Sequence, residues 1–261
     1  MNLEFYKYHG AGNDFIMIDC RNADEKQFSL EVVKHLCDRH LGIGSDGLIL
    51  LLEDNAADFR MKYFNSDGKE GTMCGNGGRC ITAFARDLGI IKDKTVFSGI
   101  DGLHHASFQG GEIVDLQMID VKGVNKFEDG FLINTGSPHF VCFKKSIQHI
   151  NVFGEGREMR HQERFSASGA NINFVETLDN NSFKIRTYER GVEDETLACG
   201  TGSVASAISS YILNKTDKSS YIVEAKGGRL EVRFNANQDG TFTDVWLKGP
   251  VKFVFKGEIS L

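Results

Sequence analysis

Apolar and polar residues alternate along most of this chain, the pattern of half-buried strands, and twice the period switches to a helical one directly after a cysteine. LEFYKYHGAGNDFIMIDC reads as a strand, a turn over His9 to Asp14 and a second strand built on FIMI. SLEVVKHLCDRH offers Ser29 as a helix cap and sets Leu30, Val33, Leu36 and Cys37 on one face, with His35 and His40 at the surface. GIGSDGLILLLE is a glycine turn into an apolar strand, and DFRMKYFNSDG is a strand that ends at Asn65. After Cys74, RCITAFARDLG has helical spacing and stops at Gly89. Short strands separated by glycines follow in TVFSGIDGLHHASFQGGEIVDLQMID, with His104 and His105 on opposite faces. The second half restarts at FLINTGSPHFVCFKK and continues through a linking segment whose charges read as solvated. GANINFVE is then a strand with Asn171 and Asn173 on one face. The tail, VEAKGGRLEVRFN and DVWLKGPVKFVFKGEISL, alternates as strands that close the second half and return to the first.

Laid over itself at an offset of 125 positions, YFNSDGKEGTMCGNG falls on YERGVEDETLACGTG, with Tyr63 on Tyr188, Cys74 on Cys199 and Gly75 on Gly200. The chain is a tandem duplication, and GTGSVASAISSYILN is the second copy of the glycine-opened helix. The fold class is therefore α+β with two pseudo-symmetric lobes. The expected boundaries are 1–119, with a C-terminal strand over about 251–261, and 120–250. Pseudo-twofold symmetry would bring the two cysteines face to face.

With 41% hydrophobic and 25% charged residues and a net charge of −6, the chain is an acidic globular protein without a basic stripe, which excludes a nucleic-acid-coating role. No signal peptide and no apolar run of ~18 residues is present, so no membrane is expected and the chain reads as cytoplasmic. Six cysteines without a C-x-x-C pair argue against both a disulfide framework and a zinc site, so no metal is expected. The G-x-G at Gly42 to Gly44 is followed by no helix and no Lys-Ser/Thr, which removes the nucleotide reading. What remains is a small-molecule site. At each helix start the dipole and the first-turn N–H groups favour a thiolate and can hold a carboxylate.

HGAGNDF, GIGSDG, FNSDGKEGTMCGNGGRC, TGSPHFV, GANINFV, YERG and ETLACGTG resemble the ordered motif series of the diaminopimelate epimerase family across nearly the whole chain. Proline racemases usually carry CGH where this chain has Cys74-Gly75-Asn76, and the phenazine-biosynthesis isomerase relatives lack the cysteine pair. The resemblance implies lobes in which a β-structure wraps a central helix, a cleft that closes on substrate, and a homodimer.

Inverting an amino-acid α-carbon requires a weakly acidic proton to leave one face and another to arrive at the opposite face, so two opposed acid–base groups suffice. Nothing in the sequence suggests a pyridoxal-phosphate lysine, and no cofactor is expected. The resemblance assigns acid–base roles to Cys74 and Cys199 and thiol tuning to His139 and Glu189. It places Asn13, Asn65, Asn171, Glu189 and Arg190 around the substrate, while the helix-start chemistry itself puts the backbone N–H groups at Gly75, Asn76, Gly200 and Thr201 on its carboxylate. The reaction implied is LL-diaminopimelate to the meso form, on the route to lysine and peptidoglycan precursors. Three positions depart from the family pattern: Gly47 stands where many members have Gln, Ser137 where many have Asn, and GVEDET is one residue longer than the common GVGET. Another amino-acid racemase, or a binding protein whose facing thiols act as a disulfide switch, are the competing readings. Turnover without added cofactor separates them.

Overall fold

The alternating segments fold as strands, and the senses in which they pair repeat from one half of the chain to the other. The computed structural model describes residues 2–165, 169–214 and 218–260. Residues 1–116 with 250–261 form one unit and residues 117–249 the other. The first contains β1 (Asn2–Gly10), β2 (Asn13–Asp19), α1 (Leu30–Cys37), β3 (Gly47–Leu52), β4 (Phe59–Asn65), α2 (Gly75–Asp87), β5 (Lys94–Gly99), β6 (Gly102–Phe108) and β7 (Ile113–Gln117). The second contains β8 (Val124–Phe127), β9 (Gly130–Asn134), β10 (Pro138–Phe143), α3 (Val152–Arg160), β11 (Asn171–Asp179), β12 (Ser182–Glu189), β13 (Asp194–Thr196), α4 (Gly200–Asn214), β14 (Ser220–Ala225), β15 (Gly228–Ala236) and β16 (Phe242–Pro250). A last strand, β17 (Lys252–Ser260), pairs antiparallel with β1 and so belongs to the first unit. Leu261, the end of the strand expected there, lies outside the described residues.

In the first unit β1–β2 is antiparallel, β2–β3 parallel, β3–β4 antiparallel, β4–β5 parallel, and β5–β6–β7 antiparallel. In the second, β9–β10, β10–β11, β11–β12, β12–β14 and β14–β15–β16 follow the same succession. Strand β8 flanks β9 as β17 flanks β1. The duplication is thus complete at the level of topology, and the first unit takes its flanking strand from the far end of the chain.

Each unit wraps its strands around one helix. Helix α2 is buried from Gly75 to Ala85 and touches β1, β2, β3, β4 and β6. Helix α4 is buried from Gly200 to Ser210 and touches strands β9 to β12, β14 and β15. The hydroxyls of Ser203, Ser209 and Ser210 donate to carbonyls one turn back at 2.8 Å, which satisfies them inside an apolar shell. Helix α1 is capped by Ser29 and covers β2 and β3, with Val33 and Leu36 packed among Ile16, Ile18, Leu48 and Leu50. Leu30 does not join them. Its carbonyl and side chain instead lie over the turn at Gly68, leaving it 44% exposed.

The linking segment keeps its charged side chains exposed or half-buried, as expected, and is structured. It carries α3, whose N-cap Asn151 accepts from the Gly154 N–H at 3.1 Å. Val152 and Gly156 are buried, with Met159 partly buried beside them. These three positions have helical spacing, but two glycines and four charged residues in nine hide it. Residues 166–168 of the same segment lie outside the described residues. A Cβ on Gly156 would stand 2.4 Å from the Tyr188 Cβ, so only glycine lets α3 seat on β12. We expect Gly156→Ala to cost about 2 kcal/mol and lower Tm by roughly 5 °C. Calorimetry checks this, and an unchanged Tm would show that α3 is not seated on Tyr188.

Candidate active site

In the first unit β4 carries the chain to Asn65, a turn reverses it, and α2 begins with Cys74 as its N-cap residue. The Cys74 Sγ accepts from the Gly77 N–H at 3.4 Å and, as a thiol, donates to Asn13 Oδ1 at 3.8 Å. Asn76 Nδ2 donates to the same oxygen at 3.1 Å, while Asn13 Nδ2 donates to Asp46 Oδ2 at 2.7 Å. These bonds set the Asn13 amide. Asp46 is itself held by Arg39 at 2.8 Å.

Behind this network lies Arg79, fully buried, donating to Asn76 Oδ1 at 2.8 Å and to the Gly75 carbonyl at 3.2 Å. Burial pushes the guanidinium down to about 10, so it keeps its charge at neutral pH. No carboxylate among the described residues forms an ion pair with Arg79. A positive charge held this way at the start of α2 favours the thiolate form of Cys74, in addition to the helix dipole. At the repeat offset the second unit has Val204 in place of Arg79.

In the second unit Cys199 immediately precedes α4 and is buried. Thr201 Oγ1 stands 3.5 Å from its Sγ, and His139 Nε2 stands 2.8 Å from that hydroxyl. His139 Nδ1 faces Asn173 Nδ2 at 3.1 Å, and Thr187 Oγ1 donates to Asn173 Oδ1 at 3.0 Å. With the amide oriented this way, Asn173 donates to Nδ1, and the neutral imidazole carries its proton on Nε2. The Thr201 hydroxyl accepts that proton's hydrogen bond and can pass its own to Cys199. His139 thus reaches the sulfur through Thr201. Burial is the main cause that pushes His139 down to about 3, with the Arg190 charge adding to it, so it is neutral.

Asn171 Oδ1 accepts the Arg190 backbone N–H at 2.8 Å, and its Nδ2 donates to Ser137 Oγ at 2.9 Å and to the Pro138 carbonyl at 3.0 Å. Arg190 Nη2 lies 3.3 Å from Ser137 Oγ. Glu189 accepts from Thr196 Oγ1 at 2.9 Å. The expected residues therefore fall into two sets. Asn13, Cys74, Gly75 and Asn76 are joined in the first unit, with Asn65 at the end of β4. His139, Cys199 and Thr201 are joined in the second, where Asn171 also meets Arg190.

All three departures from the family pattern have local partners. The ring of Tyr63 lies against Gly47, and Ser137 bonds both Asn171 and Arg190. The lengthened loop is pinned by Glu193, at φ 59°, whose carboxylate accepts from the Gly191 N–H, Arg160 Nε and the Tyr188 hydroxyl. Sequence reasoning passed over Arg79, Asn173 and Tyr63 as members of the site. An arginine among the apolar positions of GNGGRCITAF and an asparagine two residues beyond Asn171 were the available signals. Among the described residues no group of three His, Cys, Asp or Glu side chains is arranged to hold a metal ion.

The family model for diaminopimelate epimerase matches residues 5–103 and 131–254. A diaminopimelate epimerase of Flavobacterium psychrophilum is 49% identical over 257 residues, covering 98% of this chain and 100% of that protein. One of Chlorobaculum tepidum is 42% identical over 265 residues, covering 97% and 99%. Among solved structures, a phenazine biosynthesis protein of the PhzF family from Bacillus anthracis aligns with a TM-score of 0.77 at 16% identity, covering 100% of both chains. A hydroxyproline epimerase from Agrobacterium vitis aligns with a TM-score of 0.77 at 14% identity, covering 100% of this chain and 93% of that one. At these identities the structural likeness speaks for the fold alone.

The state of His139 has a consequence for stability. Its folded value lies far below the ordinary 6.5, so below that pH the unfolded chain binds a proton that the folded chain does not. Stability falls as pH drops from 6.5 towards about 3, by up to ~1.4 kcal/mol per pH unit from this group. Denaturant midpoints measured across that range should fall less steeply for a folded His139→Gln variant. Equal slopes would show that His139 is not buried as a neutral base.

Proposed function

The chain belongs to the diaminopimelate epimerase family, and we propose that Cys74 and Cys199 are its two acid–base groups, one for each face of the substrate α-carbon. It is an epimerase of diaminopimelate, converting the LL to the meso isomer on the route to lysine and cell-wall precursors. The observation that carries the two-base reading is the recurrence, in each unit, of a cysteine directly before a buried, glycine-opened helix.

In the forward direction one cysteine, as thiolate, takes the α-proton: the C–H bond breaks, an S–H bond forms, and the electron pair stays on carbon. The other cysteine, as thiol, gives its proton to the opposite lobe of that carbanion. One proton is taken and one delivered, the configuration inverts, and the sulfurs end with exchanged protonation states. The N–H groups at the starts of α2 and α4 are suited to hold the α-carboxylate as charge builds on it. Each tenfold in rate needs ~1.4 kcal/mol of such stabilisation, so several aimed donors must act together. Arg79 supports the thiolate at Cys74, and the His139–Thr201 pair offers a hydrogen bond to either form of Cys199. Asn65, Asn171, Glu189 and Arg190 supply the amides and charges that a second amino-acid group at the far end of the substrate requires. We also read the chain as cytoplasmic and, as the family resemblance implies, as a homodimer.

The test is incubation with LL-diaminopimelate in deuterated buffer without added cofactor, where the wild type should form meso isomer with deuterium at the inverted carbon. Cys74→Ala and Cys199→Ala should each abolish epimerisation with the fold intact by circular dichroism; a folded variant with near-normal turnover would refute the two-base mechanism. Arg190→Met should lower kcat/KM for diaminopimelate by roughly two orders of magnitude or more, because a charge-assisted contact left unpaired costs ~2 to 5 kcal/mol. Proline and alanine should be poor substrates of the wild type. Comparable kcat/KM values for all three compounds would mean that the distal group is not read here.

A further inference from the structure

We propose that Tyr63 is a positioning residue that decides which end of the Asn65 amide meets the substrate, standing where a side chain at position 47 cannot. The inference rests on the diaminopimelate reading and refines it. In the β3–β4 pair Gly47 is the register partner of Asn65. A Cβ on Gly47 would lie 2.6 Å from the Phe64 carbonyl oxygen and 2.6 Å from Tyr63 Cε2, so no side chain fits there. The Tyr63 hydroxyl is 3.3 Å from the same point and brings a polar group to it from the neighbouring strand.

The other edge of the ring is equally confined. A Cβ on Gly71 would lie 2.6 Å from Tyr63 Cε1 and 2.7 Å from Cδ1, and Phe15 packs edge-on with a centroid separation of 6.0 Å. Two glycines and one aromatic ring thus fix the phenol, whose hydroxyl donates to Asn65 Oδ1 at 2.8 Å. With its oxygen turned to the phenol and one lone pair taken, Asn65 has its amide orientation set and its NH₂ at the opposite end, which suits a carboxylate and disfavours an ammonium group. Without the hydroxyl the amide can turn over and present oxygen to oxygen. Tyr63 is thereby a determinant of carboxylate recognition that acts through Asn65.

Tyr63→Phe keeps the ring and deletes only the donor. In the full-length enzyme it should raise KM for diaminopimelate roughly three- to tenfold, the scale of one hydrogen bond, leave kcat within about twofold, and leave Tm unchanged. A purely structural role would move Tm instead. In an Asn65→Ala background the same change should have no further effect on KM. Wild-type KM in Tyr63→Phe, or an undiminished effect once Asn65 is gone, would overturn the proposal while leaving the epimerase reading intact. A wild type that does not epimerise diaminopimelate would overturn both.

Discussion

A helix enclosed by strands can be reached only at its ends, and that constraint organises both units. Helices α2 and α4 are each buried over eleven consecutive residues, so their flanks are committed to packing. What remains for chemistry is the N-terminal end, where the first-turn N–H groups point along the axis towards the preceding cysteine. A cysteine at that point gains the helix dipole without needing a charged neighbour on the surface. The small residues that follow it let other groups come close. A Cβ on Gly202 would stand 2.4 Å from Asn173 Oδ1, so the pair of β-strand side chains that orients His139 depends on that glycine.

Duplication supplied the same frame twice, and divergence then equipped each copy differently. Cys74 has a buried guanidinium behind it, reached through two asparagine amides and balanced at the far side by Asp46. Cys199 has a neutral imidazole that reaches it through a threonine hydroxyl. A fixed charge favours one protonation state, whereas a hydroxyl can donate to a thiolate or accept from a thiol. The two sulfurs therefore sit in matched positions with unmatched surroundings, which fits a reaction whose two directions begin from different diastereomers.

The frame was largely legible in the sequence because it rests on local signals. The glycine-opened helices after each cysteine, the cap at Ser29, the apolar run of β3 and the repeat itself all follow from periodicity. Elements that depend on tertiary fit were not legible. Helix α3 shows only three inward positions in a charged, glycine-containing stretch, and Leu30 follows the helical pattern yet covers a turn. The role of Arg79 could not be read because its burial, with no carboxylate among the described residues paired to it, appears only once the strands close around α2. Tyr63 fits its place because Gly47 and Gly71, far apart in sequence, lie against opposite edges of its ring. The identity of the substrate came from resemblance and from relatives, not from spacing or composition.

Strand β17 carries a consequence for how the protein is made. The first unit's flanking strand is synthesised only after the whole of the second unit, although its partner β1 emerges at the start. At ribosomal rates of ~5–20 residues per second, the growing chain keeps β1 as an open sheet edge for roughly ten seconds or more. During that interval the edge offers unpaired backbone groups beside Phe5 and Tyr8 to any other nascent strand. The second unit, contiguous in sequence, can complete its sheet as it leaves the ribosome. The N-terminal half therefore acquires its final strand last, through the most non-local pairing among the described strands.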